Sequence, residues 1–154
     1  MKLLLTGSSG FIGQHLSPSL NKNFDLHSEP KIDGISASLI YENGFLTKGL
    51  SRGDGTTGED ILENLKTIKS IPKKINDSKP PTLLEIRSEI YIGKKDFTKI
   101  KDKFANPRNA ASGSLRQKNP EDTKKIPLNF IAYSFGFENG LKVRNQSDYL
   151  KKLK

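Results

Sequence analysis

The chain has 154 residues, enough for one domain with a modest core. It contains no cysteine, which excludes disulfides, thiol catalysis and zinc–thiolate sites, and its two histidines, His15 and His27, are too isolated for a metal cluster. The net charge of +9 favours an anionic partner, nucleic acid first, and a lysine-rich solvated surface is the open alternative.

The first 24 residues predict a short strand over residues 2–6, a glycine turn and an amphipathic helix. Gly7, Gly10 and Gly13 recur at three-residue intervals, a spacing that lets a backbone approach a pyrophosphate. The segment TGSSGFIG resembles the start of extended short-chain dehydrogenases, nucleotide-sugar epimerases in particular. The further βαβ units of that fold do not follow, so we expect residues 1–27 to be a Rossmann-like strand, turn and helix with a connector.

The sequence predicts neither a transmembrane helix nor a signal peptide. No apolar run approaches 18 residues. The start, MKLLLTGSSGFIG, lacks both a long apolar core and a small-residue cleavage site. We therefore expect a cytoplasmic protein with no membrane partner.

Residues 29–34, EPKIDG, place one lysine between two carboxylates and end on Gly34. In an extended strand, Glu29, Lys31 and Asp33 would share a face, each about 7 Å from the next. A lysine flanked in this way is either a member of an ion-pair ladder or a nucleophile in a charged site. The local pattern leaves both open.

From residue 35 to residue 70 the pattern predicts a hairpin, a glycine loop and a helix. Asn43 and Gly44 between alternating apolar residues indicate a tight hairpin turn. The loop GDGTTG follows, and Thr56 or Thr57 is expected to cap a helix through EDILENLKTI. The apolar residues of that helix repeat at helical spacing and are expected in the core: Ile61, Leu62, Leu65 and Ile68.

The remaining elements alternate between strands and helices. Residues 71–82 predict an exposed loop, TLLEIRSEIYI a strand, and KKDFTKIKDKF a basic amphipathic helix. NPRNAASGSLR is expected to form a short helix started by Asn106 and Pro107, and IPLNFIAYSFGF another strand. A last helix begins at Gln146. The fold class is therefore α+β, with antiparallel sheets and flanking helices.

Five motifs together carry a specific resemblance. They are EPKIDG at 29–34, LSRGDGTTGED at 50–60, LEIRSE at 84–89, FANPRNAASGSLRQ at 104–117 and FIAYSFG at 130–136. In this order and spacing they resemble the adenylation domain of bacterial NAD-dependent DNA ligases, from about Ser28 to the C-terminus. The resemblance implies a nucleotidyltransferase domain over residues 28–154.

The resemblance also implies a reaction. Lys31, assisted by Asp33, would take AMP from NAD with Mg²⁺ present, and the lysine–AMP intermediate would then serve to seal nicks in duplex DNA during replication and repair. An amine suits this role because it attacks phosphorus well and the resulting P–N bond is labile. No metal-ligating residue is assigned, and no obligate protein partner is evident.

Further residues are assigned by their match to the family's motifs. The cofactor-binding set is Glu29, Gly34, Arg52, Glu59, Glu89 and Tyr133. Arg108 and Arg116 would contact DNA phosphates, because eight helical residues separate them by about 12 Å. Structural alternatives stay open: ion pairing for Arg52 and Glu89, a core position for Tyr133, and a surface cap for NPRNAASGSLRQ. Residues 87–89 read RSE, whereas the family's motif reads RGE, so Ser88 replaces a glycine. We expect this departure to have little effect on the site unless the position needs a positive φ.

The family's other parts have no counterpart in this sequence. These are the module that holds the nicotinamide mononucleotide half of NAD, and the later lysines that neutralise the AMP phosphate. We therefore expect an incomplete adenylation domain that is nearly inactive alone. Two other readings are a fragment of a nucleotide-sugar epimerase or dehydrogenase and a non-catalytic, basic DNA-binding remnant. The Tyr-x-x-x-Lys pair of the former is absent, since Leu153 stands four positions after Tyr149.

Overall fold

In the computed structural model, the described residues are 3–4, 26–27, 29–53, 57–139, 143 and 146–152. They fall into two compact units, residues 1–32 with 143–154 and residues 33–142, and each is described by itself. The strands are β1 (Leu3–Leu4), β2 (Leu26–His27), β3 (Ile35–Glu42), β4 (Phe45–Ser51), β5 (Leu83–Ile92) and β6 (Leu128–Asn139). The helices are α1 (Leu62–Lys66), α2 (Lys94–Phe97), α3 (Pro107–Leu115), α4 (Pro120–Lys124) and α5 (Gln146–Lys152).

The first unit contains a short parallel strand pair and the last helix. Strand β1 pairs with β2, with Leu3 opposite Leu26. The predicted glycine turn at Gly7 to Gly13 and the helix after it lie outside the described residues. Helix α5 begins at Gln146, as the sequence predicts, and buries Tyr149, whose pKa is raised by that burial. None of the described helices has the length and apolarity needed to cross a membrane.

The second unit is built on a four-stranded antiparallel sheet in the order β4-β3-β5-β6. The hairpin between β3 and β4 is confirmed. Its two turn residues, Asn43 and Gly44, have φ angles of 50° and 83°, which the twist of a two-residue hairpin requires. The α+β class with an antiparallel sheet and flanking helices is therefore confirmed for this unit.

One face of the sheet forms the core. Alternate residues of β3 and β5 are buried, because neighbouring residues of a strand point to opposite faces. Helix α1 packs against β4, where a Cβ added at Gly49 would lie 2.5 Å from Leu65 Cδ1. Helix α3 packs against β5 through the buried Ala110, Ala111 and Leu115. The opposite face of the sheet carries the polar residues considered below.

The first helix of this unit is shorter than predicted. It begins at Leu62 with Ile61 as its N-cap, so Thr57 does not cap it; Thr56 lies outside the described residues. The reason is that residues 59–61 still pair with β4, where Ser51 N donates to Glu59 O at 2.9 Å and Ile61 N to Gly49 O at 2.8 Å. The buried positions of Ile61, Leu65 and Ile68 are confirmed.

Two further helix predictions need correction. The basic helix predicted over residues 94–104 is limited to Lys94–Phe97, and hydrogen-bonded turns continue to Lys103. Helix α4 was not predicted, although Asn119 and Pro120 form the same start signal as Asn106 and Pro107. The described helix α3 confirms the latter pair, because Asn106 Oδ1 accepts from Asn109 N at 2.7 Å.

A buried polar cluster joins the three helices of this core. Asn64 Nδ2 donates to Thr123 Oγ1 at 2.7 Å and to Gln117 O at 2.9 Å. Thr123 Oγ1 in turn donates to Ser114 O at 2.7 Å. These bonds link α1, the end of α3 and α4, so the segment that carries Arg116 is held by the core.

Candidate functional site

The lysine of EPKIDG is exposed and precedes the sheet. Strand β3 begins at Ile35, so residues 29–34 are not a strand and the shared face that an extended strand would give Glu29, Lys31 and Asp33 does not apply. Glu29 is half-buried, and its Oε1 accepts from Gln146 Nε2 at 3.4 Å within the first unit.

The glycine of the same motif is fixed by Glu89. Gly34 N donates to Glu89 Oε1 at 3.1 Å, and Ser36 Oγ donates to Glu89 Oε2 at 3.0 Å. A Cβ at Gly34 would lie 2.2 Å from Ile90 O, so only glycine allows the backbone to approach β5 this closely. Both oxygens of Glu89 therefore hold the chain three residues after Lys31.

The aspartate of the motif faces helix α3. Arg108 Nη1 lies 3.6 Å from Asp33 Oδ1, and both side chains are largely exposed. Arg108 sits in the first turn of α3, directly after Pro107, so the cap at Asn106 fixes the backbone that carries it. Asp33 of the EPKIDG motif and Arg108 of the FANPRNAASGSLRQ motif thus contact each other through opposite charges.

The glycine loop meets the other end of the same helix. Arg116 Nε lies 2.8 Å from Glu59 Oε2, and both side chains are more than half exposed. The base of the loop is closed by Glu59 N, which donates to Ser51 Oγ at 3.1 Å. Gly53, at the start of the loop, has a φ of 54°, which favours glycine. Residues 54–56 lie outside the described part of the chain.

Arg52 and Tyr133 occupy the surface of the second unit. Arg52 is exposed immediately after β4. Tyr133 lies in β6 at a register shift relative to β5, and 36% of it is exposed, so the alternative of a core tyrosine is wrong. Ser88 is buried in β5, and its Oγ donates to Ala37 O at 2.9 Å. Asn43 is the non-glycine residue with positive φ in the described chain, so Ser88 needs no glycine conformation.

The structure adds polar residues that the motifs do not single out. Glu85 lies on the same face of β5 as Glu89, with Oε1 accepting from Ser38 Oγ at 2.8 Å and Oε2 from Phe137 N at 3.2 Å. Ser36 is the other such residue, through its bond to Glu89. A signal was present in the sequence, since polar residues alternate with buried ones along both β3 and β5.

Six of the predicted site residues thus contact one another in three pairs, each pair joining two motifs, and all three contacts lie in the second unit. The described residues hold no group of three His, Cys, Asp or Glu side chains placed for a metal ion. Mg²⁺ does not require such a group, because it usually binds through one or two carboxylates, substrate phosphates and water. The arrangement offers exposed guanidinium groups for phosphate oxygens, and a carboxylate that orders the backbone at Gly34.

Comparison with known proteins gives a consistent family. The sequence profile of the NAD-dependent DNA ligase adenylation domain matches residues 12–154. A DNA ligase of Pelagibacter ubique (strain HTCC1062) is 65% identical over 127 residues, which are 82% of this chain and 19% of that protein. A DNA ligase of Endomicrobium trichonymphae is 52% identical over 139 residues, 85% of this chain and 21% of that protein. The chain therefore spans about one fifth of the length of these relatives.

Proposed function

The chain belongs to the family of NAD-dependent DNA ligase adenylation domains, and from this premise we propose that Lys31 forms a lysine–AMP intermediate that is used to seal nicks in duplex DNA. In this proposal residues 28–154 act in the cytoplasm, in DNA replication and repair. The observation that carries it is the pairing of residues from separate motifs, Gly34 with Glu89, Asp33 with Arg108 and Glu59 with Arg116.

The first step is the transfer of an adenylyl group from NAD to the lysine. The neutral amine of Lys31 attacks the α-phosphorus of NAD, a P–N bond forms, and the P–O bond to nicotinamide mononucleotide breaks. The amine proton goes to solvent or a nearby base. Exposure of Lys31 supports this role, because its amine is accessible to a bound nucleotide.

The second and third steps use DNA. The 5′-phosphate at a nick attacks the lysine-bound phosphorus and the P–N bond breaks, which returns the amine. The 3′-hydroxyl then attacks the activated 5′-phosphate, a phosphodiester forms, and AMP leaves. Arg108 and Arg116, exposed at opposite ends of α3, would hold backbone phosphates near the nick.

The remaining predicted residues would hold the nucleotide. We assign Arg52 to AMP oxygens, since a planar guanidinium binds them well, and Tyr133 to the adenine, since its ring is exposed. Glu89 acts by fixing Gly34, and Glu29 and Glu59 contribute carboxylates. Mg²⁺ would be held mainly by the phosphates of NAD, and it would neutralise their charge as the lysine attacks.

The test is intact-mass spectrometry after the chain is incubated with NAD and Mg²⁺. Each molecule reacts only once, so even a slow first step accumulates one adenylyl group per chain. Lys31→Arg should abolish the adduct, because arginine keeps the charge but is not a nucleophile. Lys66→Arg is the matched control and should keep it, since Lys66 is ion-paired with Glu63 at 2.7 Å. An adduct that survives Lys31→Arg, or no adduct on the unsubstituted chain, contradicts the proposal.

A further inference from the structure

The positive charge of the chain is concentrated in one stretch. Residues 94–118 contain eight lysines and arginines and two aspartates, a net charge of +6 out of +9 for the whole chain. Arg108 and Arg116 account for two of these charges. Five of the others are lysines within residues 94–103, which we call the lysine segment.

The lysine segment has an ordered backbone. Helix α2 is followed by turns in which Ile100 N donates to Phe97 O at 3.0 Å and Lys103 N to Ile100 O at 3.0 Å. Phe97, Ile100 and Phe104 are half-buried, whereas all five lysines are exposed. The segment therefore has an apolar side that anchors it and a charged side that faces solvent.

Most of this charge has no counter-charge among the residues that the structure describes. Lys99 Nζ lies 2.8 Å from Asp96 Oδ1. Within the described part of the chain, no carboxylate is within ion-pair distance of the other lysines of the segment, Lys94, Lys95, Lys101 and Lys103. Four like charges within ten residues repel one another, so an anionic partner that binds them gains affinity.

The lysine segment adjoins the helix that carries the two arginines. A Cβ at Gly113 of α3 would lie 3.7 Å from Cε1 of Phe104, so the residue that directly follows the segment packs against the C-terminal half of that helix. In the sequence, Gly113 lies between Arg108, which is in the first turn of α3, and Arg116, which is the C-terminal cap of α3. The lysine segment therefore leads directly into the helix that carries both arginines.

We propose that the lysine segment is a second DNA-contacting surface, which binds the backbone phosphates of duplex DNA outside the nick and without regard to sequence. This inference rests on the proposed function, because it takes the DNA bound by Arg108 and Arg116 as its ligand. Lysine suits the task, since a flexible ammonium binds phosphate as a point charge and reads no base. A protein that uses such contacts binds intact and nicked duplexes through them equally.

The test compares two double variants of the full chain with the same net charge. Lys101→Gln with Lys103→Gln removes two unpaired lysines from the segment. Lys124→Gln with Lys125→Gln is the control, because these lysines already pair with Glu121 at 3.2 Å and Asp122 at 2.7 Å. The hydrogen bond to Asp122 also raises the pKa of Lys125, as expected for an engaged ammonium. Circular dichroism verifies that both variants fold.

The readout is the dependence of DNA affinity on salt, measured by fluorescence anisotropy with an intact and a nicked duplex. Each lost phosphate contact lowers the slope of log K against log salt by about 0.9, so the Lys101/Lys103 variant should lose about 1.8 on both duplexes. Its affinity at about 0.1 M salt should fall at least tenfold, by the same relation. Equal salt slopes for the two double variants would overturn the inference. A loss of slope and affinity that is confined to the nicked duplex would also overturn it.

Arg108→Ala and Arg116→Ala separate this inference from the proposed function. If these single variants weaken binding and the Lys101/Lys103 variant does not, the arginines bind DNA and the lysine segment is only solvated surface. If none of the variants changes binding, or the unsubstituted chain does not bind duplex DNA, both the inference and the DNA-binding part of the proposed function are wrong.

Discussion

Replacement of Glu89 tests how the sheet holds Gly34, the glycine of the EPKIDG motif. Its two carboxylate oxygens accept one hydrogen bond each, from Gly34 N at 3.1 Å and from Ser36 Oγ at 3.0 Å. A hydrogen bond to a charged group contributes about 1.5–3 kcal/mol. Two such bonds would sum to about 3–6 kcal/mol; because Glu89 is only half-buried, we expect Glu89→Ala to lower the free energy of unfolding by less, about 2–4 kcal/mol.

Glu89→Gln separates geometry from charge. The amide oxygen can still accept from Gly34 N, and the Ser36 hydroxyl can turn to accept from the amide nitrogen. We therefore expect this variant to lose less than about 1.5 kcal/mol of stability, since both contacts are kept in neutral form. If it also keeps the rate of adenylation, Glu89 acts through the backbone alone, and if the rate falls while stability holds, the charge itself serves the nucleotide or Mg²⁺.

The assay is urea unfolding, combined with a double-mutant cycle between Ser36→Ala and Glu89→Ala. We expect a coupling free energy of about 1 kcal/mol, because the two side chains share one hydrogen bond. A Glu89→Ala variant within about 0.5 kcal/mol of the unsubstituted chain, with no coupling to Ser36, would refute the reasoning.

Three other predictions follow from single contacts. Gly34→Ala should lower the free energy of unfolding by at least about 2 kcal/mol in urea, because its Cβ would lie 2.2 Å from Ile90 O, and an unchanged midpoint would contradict this. Glu59→Gln should strengthen duplex DNA binding in fluorescence anisotropy by up to about fivefold, since an exposed ion pair of about 1 kcal/mol no longer holds Arg116; unchanged or weaker binding would count against it. Burial raises the pKa of Tyr41 to about 12, from about 10 in the unfolded chain. The neutral Tyr41 hydroxyl therefore contributes fully to the free energy of unfolding below pH 10, and this contribution is lost as the pH rises toward 12. Urea unfolding should show this loss, at most about 1.4 kcal/mol per pH unit, and Tyr41→Phe should lack it; equal pH slopes for the two proteins would refute the assignment.

The sequence predicted the strands well because their signals are local. The Asn43–Gly44 turn fixes the β3–β4 hairpin, and alternating burial follows from the period of two along β3 and β5. The start of α3 was also predictable, because the Asn106 cap and Pro107 act within one turn.

The helix errors arose where longer-range pairing overrides a local signal. Thr57 and Glu59 suggest a helix start, but the backbone from residue 59 to residue 61 bonds to β4 instead. Residues 29–34 form no strand for a related reason, since the sheet begins only where Ile35 pairs with Ile90. Propensity could not indicate either tertiary pairing.

The candidate site shows the same division. The family motifs named the residues, but not which of them meet. The bonds from Glu89 to Gly34 and Ser36 join positions more than 50 residues apart, and the ion pair of Arg116 with Glu59 depends on how α3 packs on the core. Such contacts are set by the sheet register and helix packing, which one sequence does not specify.

The most direct measurement of the central claim is the location of the adenylyl group on the chain. The chain is incubated with NAD and Mg²⁺, digested, and its peptides are sequenced by tandem mass spectrometry. The account predicts an adenylyl group on the peptide that contains Lys31 and on no other lysine. An adenylyl group on a different lysine, or an unmodified Lys31 peptide after prolonged incubation, would contradict it.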